Sequence, residues 1–200
     1  MKNFKRLKIS RIFVILTLLA IFILISAISY VDAVSNNISD SVFRLHVIAN
    51  SDSEEDQTLK LKVRDNLLEY MNTIAKDSTN KEEAMRIASE HKNEFIQIAE
   101  KTIRENGYEY TVNIQIGKAD FPTKYYGDIT LPAGEYDALK VEIGEAKGKN
   151  WWCVMFPPLC FVDVSTGVVP DDSKQELKQN LKNEEYNLIC LLYTSDAADD

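Results

Sequence analysis

Histidine, cysteine, proline and glycine are all scarce in this chain of 200 residues, at two, three, five and seven copies. The histidines, His46 and His91, and the cysteines form no CxxC, HExxH or similar pattern, so no metal ligand set is expected. A phosphate-binding loop is missing too. "GEAKGKN" (144–150) has one residue too few between its glycines, and Asn150 stands where magnesium would need Ser or Thr. It reads as a turn, and no cofactor is expected. Basic charge is also in deficit, with a formal net charge of −8. The basic residues Lys2, Lys5, Arg6, Lys8 and Arg11 all precede the first acid, which leaves the remainder more acidic still. That balance excludes nucleic acid, which needs a concentrated basic face, and disfavours adsorption to anionic lipid. There is no internal repeat, and no linker long enough to divide the chain.

What is present begins with an uncharged apolar run, "IFVILTLLAIFILISAI" (12–28), behind the basic start. It is long for a signal-peptide core and just long enough to cross a bilayer. Basic residues stay cytoplasmic, so the chain after about residue 33 is expected outside. Ala27 with Ser29, or Val31 with Ala33, offers small residues for cleavage. Residues 1–33 are therefore either a signal peptide or a retained anchor. At the other end, "CLLYTSDAADD" breaks the charged helical pattern before it and resembles a translated sequencing adapter. Residues 190–200 are expected to be a non-native tail, with the domain occupying 41–188.

Within that domain, "SVFRLHVIAN" alternates, with Phe43, Leu45, Val47 and Ala49 forming one wholly apolar face of a strand. "NSDSEEDQ" then offers caps, Ser53 with Asp56 or Asp52 with Glu55, for a helix striped by Leu59, Val63, Leu67, Met71 and Ile74 and ending near Lys76. A second helix starts at "DSTNKEE", carries Ala84, Ile87, Ala88, His91, Phe95, Ile98 and Ile103 along one side, and closes at Gly107. Strands follow at "YEYTVNIQIG" from Tyr108 and at "DALKVEIG", and "WWCVMF" forms the return strand after the "EAKGKN" turn. This order predicts an α+β fold: a largely antiparallel sheet with a helical hairpin on one face, behind the N-terminal segment.

"NWWCVMFPPLCFVD" (150–163) concentrates tryptophan, cysteine and proline. Extended backbone sends Trp151 and Trp152 to opposite faces. Pro157 and Pro158 lack N–H donors and end the strand, leaving an apolar loop of Met155, Phe156 and Leu159. That loop either completes the core or presents a protein-binding hot spot. In an exported protein, Cys153 and Cys160 form a disulfide, remain buried thiols, or act in catalysis. The catalytic alternative is a cell-envelope thiol hydrolase using Cys153 or Cys160 with His46 as base and Asp52 or Asp163 as orienter.

"FRLHVIANSDSEEDQTLKLKVRD" (43–65), "LPAGEYDALKVEIGEAKGKNWWCVMFPPLCFVD" (131–163) and the exported start together resemble the stage II sporulation protein R family of spore-forming bacteria. The resemblance implies an intercellular signal in endospore formation rather than an enzyme. Such proteins leave the forespore for the intermembrane space and activate a membrane-embedded aspartic protease, which processes a mother-cell sigma factor precursor. Contacts with that protease are expected from His46, Asn50 and Asp52 and from Trp151, Trp152, Phe156, Pro157 and Pro158.

Overall fold

The computed structural model describes residues 2–126, 129–158 and 171–196. The chain divides into two units, one ending at Asn36 and the other starting at Asn37. The first unit belongs to α1 (Lys2–Ser41). From Phe13 to Val31 its apolar side chains lie open on every side of the helix. The stretch Phe13–Ser41 is long and apolar enough to cross a membrane. Over Phe13–Val31 the helix has no buried stripe to seat on a core, so lipid is the solvent that its composition suits there. The expectation of a signal or membrane segment ahead of one α+β domain therefore holds.

The second unit is built on a four-stranded sheet of β1 (Phe43–Ile48), β2 (Val112–Phe121), β5 (Gly134–Ile143) and β6 (Asn150–Phe156), in the order β2-β5-β1-β6. β3 (Lys124–Tyr126) and β4 (Ile129–Leu131) make a separate hairpin. The outer pairings of the sheet are antiparallel and the central β1–β5 pair is parallel. β6 was expected to return against β5, but it pairs with β1, which is inserted between them. The cause lies in β1 itself. Phe43, Leu45 and Val47 are fully buried on one face and Arg44 on the other, so the strand demands a central position.

The helices between β1 and β2 pack on one face of this sheet. α2 (Glu54–Ile74) begins at the expected cap, where Ser53 Oγ accepts the Asp56 N–H at 3.1 Å. Leu59, Val63, Leu67 and Met71 are buried along it, at about 1.5–3 kcal/mol for each large side chain removed from water. The expected second helix is two, α3 (Lys81–Glu90) and α4 (Lys92–Glu105), broken at His91. There His91 Nδ1 lies 2.9 Å from the Tyr70 hydroxyl of α2, and the side chain is part exposed rather than packed in an apolar stripe. Asn66 to Thr102 (2.7 Å) and the Tyr70–Phe95 ring contact (5.1 Å) pair α2 antiparallel to α4. Gly107 ends α4 at φ 86° as expected, but β2 starts at Val112, leaving Tyr108 and Tyr110 stacked at 5.3 Å ahead of the strand.

Beyond the cysteine cluster come α5 (Asp171–Asn180) and α6 (Asn183–Asp196). Leu177, Leu181 and Ile189 are buried there.

Candidate functional site

The residues singled out from the sequence fall in three places. The first is a bracket at the C-terminal end of β1. Asn50 Nδ2 donates to Asp56 at 2.8 Å, its Oδ1 accepts the Glu145 N–H at 2.9 Å, and its carbonyl accepts the Lys147 N–H at 3.2 Å. Asp52 Oδ1 accepts the Lys149 N–H at 2.6 Å. The loop from Gly144 to Lys149 is thus strapped over the end of β1, which is how β6 reaches the far side of that strand. Gly148 is required at the crossing, because a Cβ there would run into the Ser51 carbonyl. Burial pulls the Asp56 carboxyl upward, but donors from Ser51, Asn50 and Tyr110 outweigh it and hold the group below its ordinary range. Asn50 and Asp52 are therefore occupied in holding the fold.

The second place is the sheet face opposite α2–α4. β1–β6 register sets His46 opposite Trp152, with ring centroids 3.7 Å apart and planes 19° from parallel. His46 Nε2 lies 2.8 Å from Asn150 Oδ1, and Phe121 meets Trp152 edge-on at 4.8 Å. Burial pushes the His46 imidazole below its ordinary value of 6.5; the Asn150 hydrogen bond opposes this, and nearby Lys140 adds to it. Trp152 stays part exposed, and Asn150 is exposed. An aromatic plate held from behind by a neutral imidazole is a rigid feature that a partner can cover at little entropic cost.

The third place is the end of β6. Met155, Phe156 and Pro157 are buried and Pro158 is part exposed. Leu159 and Cys160 lie outside the described residues, and so does any bridge from Cys160 to the buried Cys153. Trp151 and Trp152 do take opposite faces: Trp151 lies on the helix side, with the Arg64 guanidinium of α2 at 4.2 Å over its ring.

The same register corrects the thiol-hydrolase alternative for Cys153. That residue stands opposite Leu45, on the helix face, whereas His46 points to the other side of the sheet. A base on the far face of the strand is out of reach of that sulfur. Among the described residues no cluster of three His, Cys, Asp or Glu stands close enough to hold a metal ion.

Two features escaped the sequence reading. Arg44 is fully buried, donating from Nη2 to the Tyr126 hydroxyl at 2.7 Å, with its guanidinium 4.0 Å from the Phe121 ring centroid and 4.6 Å from that of Tyr136. In β1's alternation it read only as the polar partner of an apolar face. Lys81, at the start of α3, reaches Asp137 of β5 in a nearly buried ion pair of 2.6 Å. Neither pairing leaves a local signal, because the partners lie far away in sequence.

These elements define a class: an α+β domain behind a membrane-length apolar helix, with a histidine-backed tryptophan on the sheet face opposite α2–α4. The family model of stage II sporulation protein R matches residues 39–166, and the chain belongs to that family, which places its role in sporulation. It is 41% identical over 148 residues to stage II sporulation protein R of Bacillus subtilis (strain 168), across 72% of this chain and 66% of that protein. The chain thus spans just under two thirds of the length of that relative. No solved structure matches.

Proposed function

We propose that this protein is an intercellular signal of endospore formation rather than an enzyme. It is exported from the forespore into the space between the two membranes, as a cleaved product or on a retained anchor. There it docks on a membrane-embedded aspartic protease of the mother cell, which then processes a sigma factor precursor. The observation that carries this reading is family membership across the folded domain, with a membrane-length helix ahead of it. The docking surface is the face around Trp152, His46 and Asn150, because Phe156 and Pro157 are taken up by the core and Asn50 and Asp52 by the loop bracket. A ligand shifts a receptor only by binding its active arrangement better than its resting one, and a part-exposed aromatic stacked on His46 suits that task. In the export compartment Cys153 and Cys160 are bridged, which locks the end of β6.

The test is Trp152→Ala in cells that make the protease and the precursor. Signalling should fall at least tenfold with thermal unfolding nearly unchanged, since Trp152 is not a core residue. Loss of folding in parallel with signalling would remove the docking face from the account.

A further inference from the structure

The sheet has two edges of different character. At the β6 edge, the Trp152 carbonyl accepts the Tyr126 hydroxyl at 3.2 Å. The β2 edge is open: its ten residues pair throughout with β5 and, among the described residues, with nothing on the other side. The hydrogen bond from Gly144 N–H to the Thr111 carbonyl, at 2.9 Å, sets the phase of that ladder. Alternate residues from Thr111 onward turn their backbone groups to β5, so those of Ile114, Ile116, Lys118 and Asp120 face outward. A row of unpaired donors and acceptors of this length is a template for another strand.

The charges beside it say what kind of strand. Register places Asp120 directly opposite Glu135; both are exposed, and neither has a cation at ion-pair distance among the described residues. Like charges facing each other across strands are destabilising, and a cation between them would relieve that. Lys118, two residues before Asp120 on the same strand, is engaged by Asp137 at 3.4 Å and Asp40 at 3.8 Å. A second copy of the chain is a poor occupant, because its net charge of −8 would be brought against an equal one.

We infer that the β2 edge accepts an extended segment of the receptor by strand addition, with a Lys or Arg of that segment placed between Asp120 and Glu135. Backbone pairing supplies affinity, and the paired acids fix register and reject neutral or acidic strands. This rests on the reading that the protein acts by docking on a membrane-embedded partner. It adds a second contact at the opposite edge of the sheet from Trp152.

The experiment uses the full chain, co-expressed with the protease and the precursor, and two substitutions. Asp120→Pro removes an outward N–H and sets a ring on the edge without removing a bond to β5. Asp120→Lys replaces the like-charge pair with an opposite one, so the fold should be as stable or more stable while a basic strand is repelled. Each should lower precursor cleavage about tenfold at equal exported protein. A photoreactive residue at the exposed Gln115 should crosslink to the protease. If Asp120→Pro fails to fold, Asp120→Lys decides alone. Undiminished cleavage by folded Asp120→Lys, with no crosslink from position 115, overturns the inference and leaves the signalling reading standing. Crosslinks between two copies of the chain overturn it in favour of self-pairing. No cleavage with the unaltered chain overturns the signalling reading, and this inference with it.

Discussion

Replacing Arg44 with Met should leave the domain about as stable as before, although Arg44 heads the fully buried side chains by size. Removing a guanidinium from water costs several kcal/mol. Its Nε and Nη1 meet no acceptor among the described residues, and each unmet buried donor adds about 1–3 kcal/mol. Against this stand one charge-assisted hydrogen bond to Tyr126, at about 1.5–3 kcal/mol, and the face of Phe121 at 4.0 Å, at about 2 kcal/mol for a desolvated cation–π contact. The Tyr136 ring, 4.6 Å from the guanidinium, adds a second cation–π contact, so the costs equal or modestly exceed the gains. Tyr126 would not be orphaned, since its hydroxyl also donates to the Trp152 carbonyl. Arg44→Met, which keeps most of the stem volume, should therefore shift stability by less than about 1.5 kcal/mol, in the stabilising direction. Arg44→Ala leaves a void among Phe121, Tyr126 and Tyr136 and should cost about 3–4 kcal/mol. The assay is urea unfolding of the full chain in detergent micelles, followed by tryptophan fluorescence. A loss above about 3 kcal/mol for Arg44→Met, equal to that for Ala, would instead make the charge itself essential to the fold.

Asn50→Ala removes a donor to Asp56 and an acceptor for Glu145 N–H, and should lower stability by about 2–3 kcal/mol, read as a fall in Tm. Because burial holds His46 below 6.5, the folded state takes up that proton less readily than the unfolded chain. Stability should be unaffected by this group above pH 6.5, decline as pH falls below it, and level off beneath the folded value; Tm measured against pH should show this slope, and His46→Gln should reduce it. The proposed bridge between Cys153 and Cys160 closes a short loop and should contribute about 2.5 kcal/mol. Urea unfolding of the exported protein with and without reductant checks this, and no difference would argue for free thiols.

Alternation and capping residues made most elements legible. Ser53 started α2 and Gly107 ended α4 where expected, and the α+β class followed from element order. The break at His91 was hidden because the apolar spacing continues across it from Ala88 to Phe95, while its anchor, Tyr70, sits on another helix. Strand order was hidden for a related reason: alternation reports which face is buried, but not which strand lies alongside. A segment of more than eighty residues between β1 and β5 allows the parallel pairing that a short hairpin forbids. β3 and β4, at three residues each, are too short to show any period, so the cover over Arg44 could not be foreseen. Of the candidate site, the opposite facing of Trp151 and Trp152 was readable from extended backbone. The occupation of Asn50 and Asp52 by the 144–149 loop was not, since main-chain donors carry no sequence signature.

The most direct measurement is precursor cleavage in a non-sporulating bacterial host that makes this chain, the membrane protease and the sigma precursor, followed by immunoblot. A second arm carries the C-terminal part of the Bacillus subtilis relative grafted after Leu188. Cleavage should appear only when the chain is co-expressed and should be lost with Trp152→Ala. Exported, folded protein in both arms with the precursor left intact would contradict the signalling role.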